Sequence, residues 1–135
     1  MAKMKLSECF AHFGAKGANP RWSWSARSED GTVVVITLWK DRLSFDGGAI
    51  VYDDMGIDTG AWVDRPGNRE RIENLKWARD NCDGYFRAVV TVAEDISAQP
   101  RRIADCYPQP RWNMRLVDLN ESTGEFRAVH VSQSA

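Results

Sequence analysis

The sequence predicts an α+β fold: a strongly bent, mixed or antiparallel sheet of five to six strands, one main helix at about residues 68–83 and two short helices. Three stretches lead to that reading. Residues 21–40, RWSWSARSEDGTVVVITLWK, place an alternating segment and a β-branched run on either side of an Asp-Gly turn. Residues 85–95 form a second long apolar run. Between the two, residues 68–83 repeat apolar positions at helical spacing. Two architectures satisfy this order of elements: a sheet closed into a small barrel, or an open sheet with the main helix across one face.

Taken in order, residues 6–13 read as a short helix. Ser7 can cap it, Cys9, Phe10 and Phe13 supply an apolar stripe, and Gly14 can end it. In residues 22–27, Trp22, Trp24 and Ala26 fall on one face and Ser23, Ser25 and Arg27 on the other, as in a strand covered on one side. Asp30-Gly31 supplies the turn, since glycine takes positive φ without a Cβ clash. Residues 32–39, TVVVITLW, are apolar on both faces, which marks a central strand. Residues 41–58 are acidic and glycine-containing and read as surface loop, with a short edge strand at 49–52.

In the main helix Asn68 is the expected N-cap and Gly84 follows the end. Ile72, Leu75, Ala78 and Cys82 share one face at 100° per residue. Arg79 falls on that same face, where an unpaired guanidinium is costly, so a carboxylate or strand-end carbonyls are expected beside it. Trp77 falls on the opposite side, which implies either a second covering layer or an indole exposed for a purpose. Residues 85–95 follow as a strand with Phe86, Ala88, Val90 and Val92 on one face. Pro100 suits the first turn of a short helix over 100–106, which Pro108 and Pro110 stop. Residues 112–119 and 125–131 form a closing hairpin about a turn at 120–124.

The totals bound the class. At 135 residues, with 43% apolar and 27% charged residues, the chain reads as one domain spanning 1–135 with an ordinary core. A formal net charge of −1 provides no global field toward nucleic acid or membrane. Cys9, Cys82 and Cys106 are odd in number and widely spaced, with no CxxC, which favours a reducing, cytoplasmic setting. No apolar h-region follows the basic start, and no apolar run approaches spanning length, so neither a signal peptide nor a membrane partner is expected.

Cys9-x-x-His12 has a spacing that could clamp zinc, with Cys82, Cys106 and His130 available to complete a site. Nothing pairs those three at ligand spacing, and Cys9 fits a helix stripe, so buried thiols are the expectation and no metal is assigned. Asp53, Asp54, Asp58 and Asp64 lack the EF-hand order and read as a solvated acidic loop. There is no GxSxG elbow, HExxH, Walker loop or GxGxxG, so neither catalytic residue nor cofactor is assigned. The six tryptophans carry more information. Core packing accounts for Trp24, Trp39 and Trp112. Indole beside Arg and Asn is also how a pocket stacks a flat ligand such as a nucleobase. The candidate binding set is therefore Trp22, Trp62 and Trp77 with Arg21, Arg65, Asn68 and Arg69, where the residues opening the main helix could hold a phosphate or carboxylate.

Two stretches, Trp22-Ser23-Trp24-Ser25-Ala26-Arg27 running into Thr37-Leu38-Trp39-Lys40, and Asp64-Arg65-Pro66-Gly67-Asn68-Arg69-Glu70-Arg71, together resemble an uncharacterised family of small bacterial proteins, which implies no activity. The order of elements is similar to the PUA-like superfamily, which includes the EVE and ASCH modules. That likeness implies a small bent β-barrel holding RNA or a modified base in an aromatic-lined pocket. The functional expectation is a non-catalytic binding module for single-stranded or modified nucleic acid. The alternatives are a small enzyme acting on a polar metabolite, and an adaptor that forms a homodimer through the edge of the 111–131 hairpin.

Overall fold

The computed structural model describes residues 5–17, 23–55, 65–97 and 102–131. Helix α1 (Leu6–His12) follows Lys5, whose backbone N–H donates to Glu8 Oε1 at 2.9 Å. Then come strands β1 (Ala15–Lys16), β2 (Ser25–Ser28) and β3 (Val34–Trp39), and a 3₁₀ turn at Lys40–Arg42. The chain continues through β4 (Leu43–Asp46), β5 (Ala49–Asp53), helix α2 (Pro66–Asn81), β6 (Tyr85–Ala93), β7 (Ile103–Leu119) and β8 (Phe126–Val131). All eight strands join one sheet in the order β1-β2-β3-β6-β7-β8-β5-β4. Among the described residues, only β3 and β6 run parallel; every other neighbouring pair is antiparallel.

The sheet must bend sharply, and connectivity shows why. β3 and β4 lie five strand spacings apart in the sheet order. Laid flat, that is about 24 Å. Yet only Lys40–Arg42 separates Trp39 from Leu43, a link that reaches about 14 Å when fully extended. The half of the sheet from β6 to β4 therefore curls back toward the end of β3. It does not close: β1 and β4 remain edges.

Each face has its own core. Val34, Ile36 and Leu38 of β3 join Tyr52, Phe86, Ala88, Met114, Phe126 and Ala128 beneath Leu75 and Ala78 of α2. On the other face Val35 joins Ala26, Val89 and Cys106 beneath Cys9 and Phe10 of α1. This two-sided burial explains why β3 is apolar at every position from Val33 to Ile36. Each fully buried side chain of this size contributes roughly 1.5–3 kcal/mol.

The structure corrects several expectations. Among the described residues there are eight strands rather than five or six, two α-helices rather than three helices, and a sheet that is not closed into a barrel. The expected helix over 100–106 is strand from Ile103 onward, while residues 98–101 lie outside the described residues. Residues expected as loop form β4, so β5 is covered by β4 on one side and β8 on the other and is no edge. β2 is covered on both sides: Ala26 faces α1, and Ser25 is buried against Asn74 of α2. The β7–β8 hairpin lies inside the sheet, so it offers no edge for a homodimer. Main helix α2 starts earlier than read. Pro66 occupies its first turn and Arg65 is the N-cap, as suits a residue with no N–H to satisfy, and Asn68 is buried one turn in. Among the described residues, no helix is long and apolar enough to cross a membrane.

Candidate functional site

A group of the buried polar residues gathers where the end of β5, the first half of α2 and the β7–β8 turn meet. Tyr52 and Asp54 are two residues apart and share a face of the extended chain. Asn68, Arg71 and Asn74 are three residues apart on α2 and form one stripe beside Leu75 and Ala78. All five are buried.

Asp54 extends the β5–β8 ladder by one step. Its N–H donates to the Phe126 carbonyl at 3.2 Å, and its Oδ1 accepts the Phe126 N–H at 2.7 Å. Asn68 Nδ2 donates to the Thr123 carbonyl at 2.9 Å, tying α2 to the turn after β7. Asn68 Oδ1 accepts from Arg71 Nη2 at 3.0 Å, and the same nitrogen reaches the Gly124 carbonyl at 3.3 Å. The Arg71 guanidinium lies 5.5 Å from the centre of the Trp24 ring and 5.2 Å from that of Phe126, within cation–π range. Tyr52 stacks on Phe126 at 5.0 Å. Among the described residues, Asp54 Oδ2 meets no hydrogen-bond partner, while Tyr52 Oη has the Trp39 backbone beside it.

Burial sets the electrostatics. It pushes the Asp54 carboxyl above the usual carboxylate range, against the opposing pull of Arg71 and the Phe126 N–H. Tyr52 is pushed up to about 12, first by burial and then by the charge of Asp54. Burial lowers Arg71, with Tyr52 and Asp54 acting in the opposite sense. The cluster thus fixes an acid, a phenol and a guanidinium side by side, able to donate and accept toward a polar edge or to pass a proton.

A second network holds the other half of α2. Asn74 Nδ2 donates to Ser25 Oγ at 2.8 Å, and Asn74 Oδ1 accepts from Arg27 Nε at 3.1 Å. Arg27 covers the Trp77 ring at 4.2 Å, and Trp77 Nε1 donates to the Gly31 carbonyl at 2.9 Å. Trp77 is half-buried against the β2–β3 turn, which is the second covering layer its position implied. The candidate binding residues are only partly brought together. Arg65, Asn68 and Arg69 share the first turn of α2, with Arg65 and Arg69 exposed. Trp77 lies nine residues beyond Asn68, about 13 Å along the axis. Arg21, Trp22 and Trp62 lie outside the described residues. On the face that carries Tyr52, Phe45 of edge strand β4 is 69% exposed and stands edge-on to Trp112 at 6.2 Å.

Arg79 is exposed and pairs with Asp80 at 3.1 Å and Glu121 at 3.8 Å. A carboxylate partner was expected, but in a buried setting. The buried stripe of α2 is centred on Arg71, Leu75 and Ala78, so Arg79 lies at its flank and reaches solvent, and the expected phase of the helix was off. Among the described residues the buried arginine is Arg71, expected with Arg69 to hold an anion at the opening of the helix; Asp54, expected in a solvated acidic loop, is buried instead, and the burial of Tyr52 and Asn74 was not anticipated. The available signal was the Asn68–Arg71–Asn74 spacing, which runs alongside Leu75 and Ala78.

Cys9 points into the core and meets Cys106, Sγ to Sγ, at 3.6 Å. His12 packs edge-on to Phe13 at 5.0 Å, and His130 Nδ1 lies 3.0 Å from the Asn113 backbone nitrogen. Asp53 accepts the Met55 N–H and pairs with Arg127 at 3.7 Å, while Asp58 and Asp64 lie outside the described residues. Among the described residues, no three His, Cys, Asp or Glu side chains are placed to hold a metal ion. No family model, curated protein or solved structure matches this chain.

Proposed function

We propose that the chain is a non-catalytic binding module whose ligand is RNA or a modified nucleobase, read at the polar end of the bent sheet by Tyr52, Asp54, Asn68 and Arg71. The observation that carries this reading is Asp54. It is 1% exposed, with one carboxylate oxygen on the Phe126 N–H and the other without a partner among the described residues. A buried acceptor left unmet costs about 1–3 kcal/mol. A fold that keeps one beside a phenol and a guanidinium holds convergent polar groups of the kind that orient a ligand. A nucleobase offers a polar edge and flat apolar faces, and the Trp24 and Phe126 rings already flank the guanidinium. The net charge of −1 suits a base or a short single strand better than a duplex. A PUA-like relationship belongs to the same proposal, supported by the sharp bend of the sheet and by the helix preceding β6.

The test is intrinsic tryptophan fluorescence titrated with modified and unmodified single-stranded oligonucleotides, for wild type and Asp54→Asn. Asparagine keeps the acceptor for Phe126 and removes the carboxylate. The expected result is saturable quenching, weakened about tenfold in the variant, which corresponds to about 1.4 kcal/mol. Absence of quenching at every salt concentration overturns the reading. The small-enzyme alternative draws on the same residue, because a carboxyl raised by burial is suited to general acid–base chemistry. Turnover of a polar metabolite that disappears in Asp54→Asn selects that alternative.

A further inference from the structure

We propose that Cys9 and Cys106 form a reversible intramolecular disulfide that staples α1 to β7, making the N-terminal helix an oxidant-responsive element. The two residues are 97 apart in sequence, yet their sulfurs stand 3.6 Å from each other. Neither is in a disulfide, and both are buried in the core layer between α1 and the sheet. Chain topology forces the meeting: Cys9 is on the inner face of α1, and Cys106 is on the face of β7 that α1 covers. Cys82, the remaining cysteine, packs against the opposite core and cannot compete for either partner within the folded chain.

The geometry needs a small adjustment. A disulfide holds its sulfurs about 2.05 Å apart, so the thiols must close by about 1.5 Å. α1 is seven residues long and rests on the sheet mainly through Cys9 and Phe10, so it is the element best able to shift by that amount. With hydrogen peroxide as oxidant, one sulfur attacks a peroxide oxygen. The O–O bond breaks, hydroxide leaves and takes the thiol proton as water, and a sulfenic acid remains. The second sulfur then attacks the sulfenic sulfur. The S–S bond forms, the S–O bond breaks, and a second water leaves with the second thiol proton. Two thiols are oxidised by two electrons and one peroxide is reduced. A dithiol reductant reverses the bond by exchange. Burial pushes Cys9 up to about 12, so the thiolate is scarce while α1 is seated. Oxidation therefore waits on α1 lifting, which makes the pair a slow sensor that is inert in the resting fold.

The test treats the folded wild-type protein with hydrogen peroxide, blocks remaining thiols with an alkylating agent, and maps peptides by mass without reduction. The expected product is a monomer carrying a Cys9–Cys106 linkage with Cys82 alkylated, about 2 Da lighter than the chain bearing the same adduct with its other two thiols reduced. Its Tm rises by several degrees, because closing so long a loop restricts the unfolded chain, and dithiothreitol reverses the rise. Cys82→Ser retains the linkage and the Tm shift, whereas Cys9→Ser loses both. The wild-type mapping decides the matter even if a variant fails to fold. Cys82-linked dimers with Cys9 and Cys106 both alkylated overturn the proposal. So does sulfinic acid at either buried cysteine without a linkage, or a linkage that appears only in denaturant.

Discussion

The indole of Trp77 closes the β2–β3 turn. Its Nε1–H satisfies the Gly31 carbonyl, Arg27 lies over its ring, and a Cβ at Gly31 would run into it. Trp77→Phe keeps a ring under Arg27 and leaves the Gly31 carbonyl without that donor, so equilibrium urea unfolding is expected to show a loss of about 1–2 kcal/mol. The same variant is expected to leave any oligonucleotide titration unchanged, which separates a structural indole from a stacking one. Asn68→Ala removes the donor to Thr123 and the acceptor for Arg71 together, and a loss of about 2–3 kcal/mol is expected in the same measurement. Sequence reading located the helix that carries these residues but not their roles. At 100° per residue Arg79 falls between Ile72 and Leu75, but the buried stripe is centred on Arg71, Leu75 and Ala78, so the phase read from the apolar residues alone was off and Arg79 lies at the flank. The centre of a buried stripe is set by the strands beneath it, and those come from elsewhere in the chain. Arg71 is buried because the β7–β8 turn and the end of β5 close over the first half of α2, and no local pattern encodes that.

Among the elements, the turn from Asn120 to Glu125 shows how a local signal acquires a tertiary purpose. The Asn120 carbonyl accepts the Gly124 N–H at 2.7 Å, and Gly124 has φ +87°, so a glycine is needed for the turn itself. A Cβ at that position would also run into the Asn68 amide. Gly124→Ala therefore combines backbone strain with a clash, and a loss of about 2–4 kcal/mol is expected by thermal or urea unfolding. Combined with Asn68→Ala, it is expected to cost less than the sum of the two, because the clash is gone. A strictly additive double variant shows that backbone strain alone is responsible. The turn was legible from Asn, Ser, Thr and Gly in one cluster. The long β7 was not, because its prolines look like stops. Between the pairs Arg87–Asn113 and Ala88–Gln109 the strand carries three extra residues, Pro110, Arg111 and Trp112. A proline has no N–H to contribute to a ladder, and a bulge is where that deficit is absorbed. β1 and β4 are two and four residues long, too short to show a period.

At the scale of the whole molecule, the strand order was the least legible feature. β5 and β8 pair from Ala49–Val131 to Asp53–Arg127, and such long-range pairing follows from packing rather than from any local motif. The bend was legible as a tendency of a small sheet with short turns. That bend brings Tyr52 and Asp54 out of water, and burial makes stability depend on pH at both ends of the scale. The folded chain holds the Asp54 proton to a higher pH than the unfolded chain does, since its carboxyl lies above the ordinary value of 3.8. The folded state therefore binds more protons just above pH 3.8, and Asp54's contribution to stability falls as pH rises from there to its folded value. Tyr52 repeats the pattern between the ordinary value of 10.0 and about 12. A rise of that size removes about 2–3 kcal/mol by the upper end of the window. Urea unfolding across pH is expected to show both declines. Asp54→Asn removes the acidic one, and Tyr52→Phe removes the alkaline share assigned to that phenol while leaving neutral-pH stability within about 1 kcal/mol. Loss of more than that in Tyr52→Phe at pH 7 means that the hydroxyl has a partner it depends on. An alkaline decline identical in wild type and Tyr52→Phe means that the phenol reaches water, and the polar end of the sheet is then more open than the fold described here.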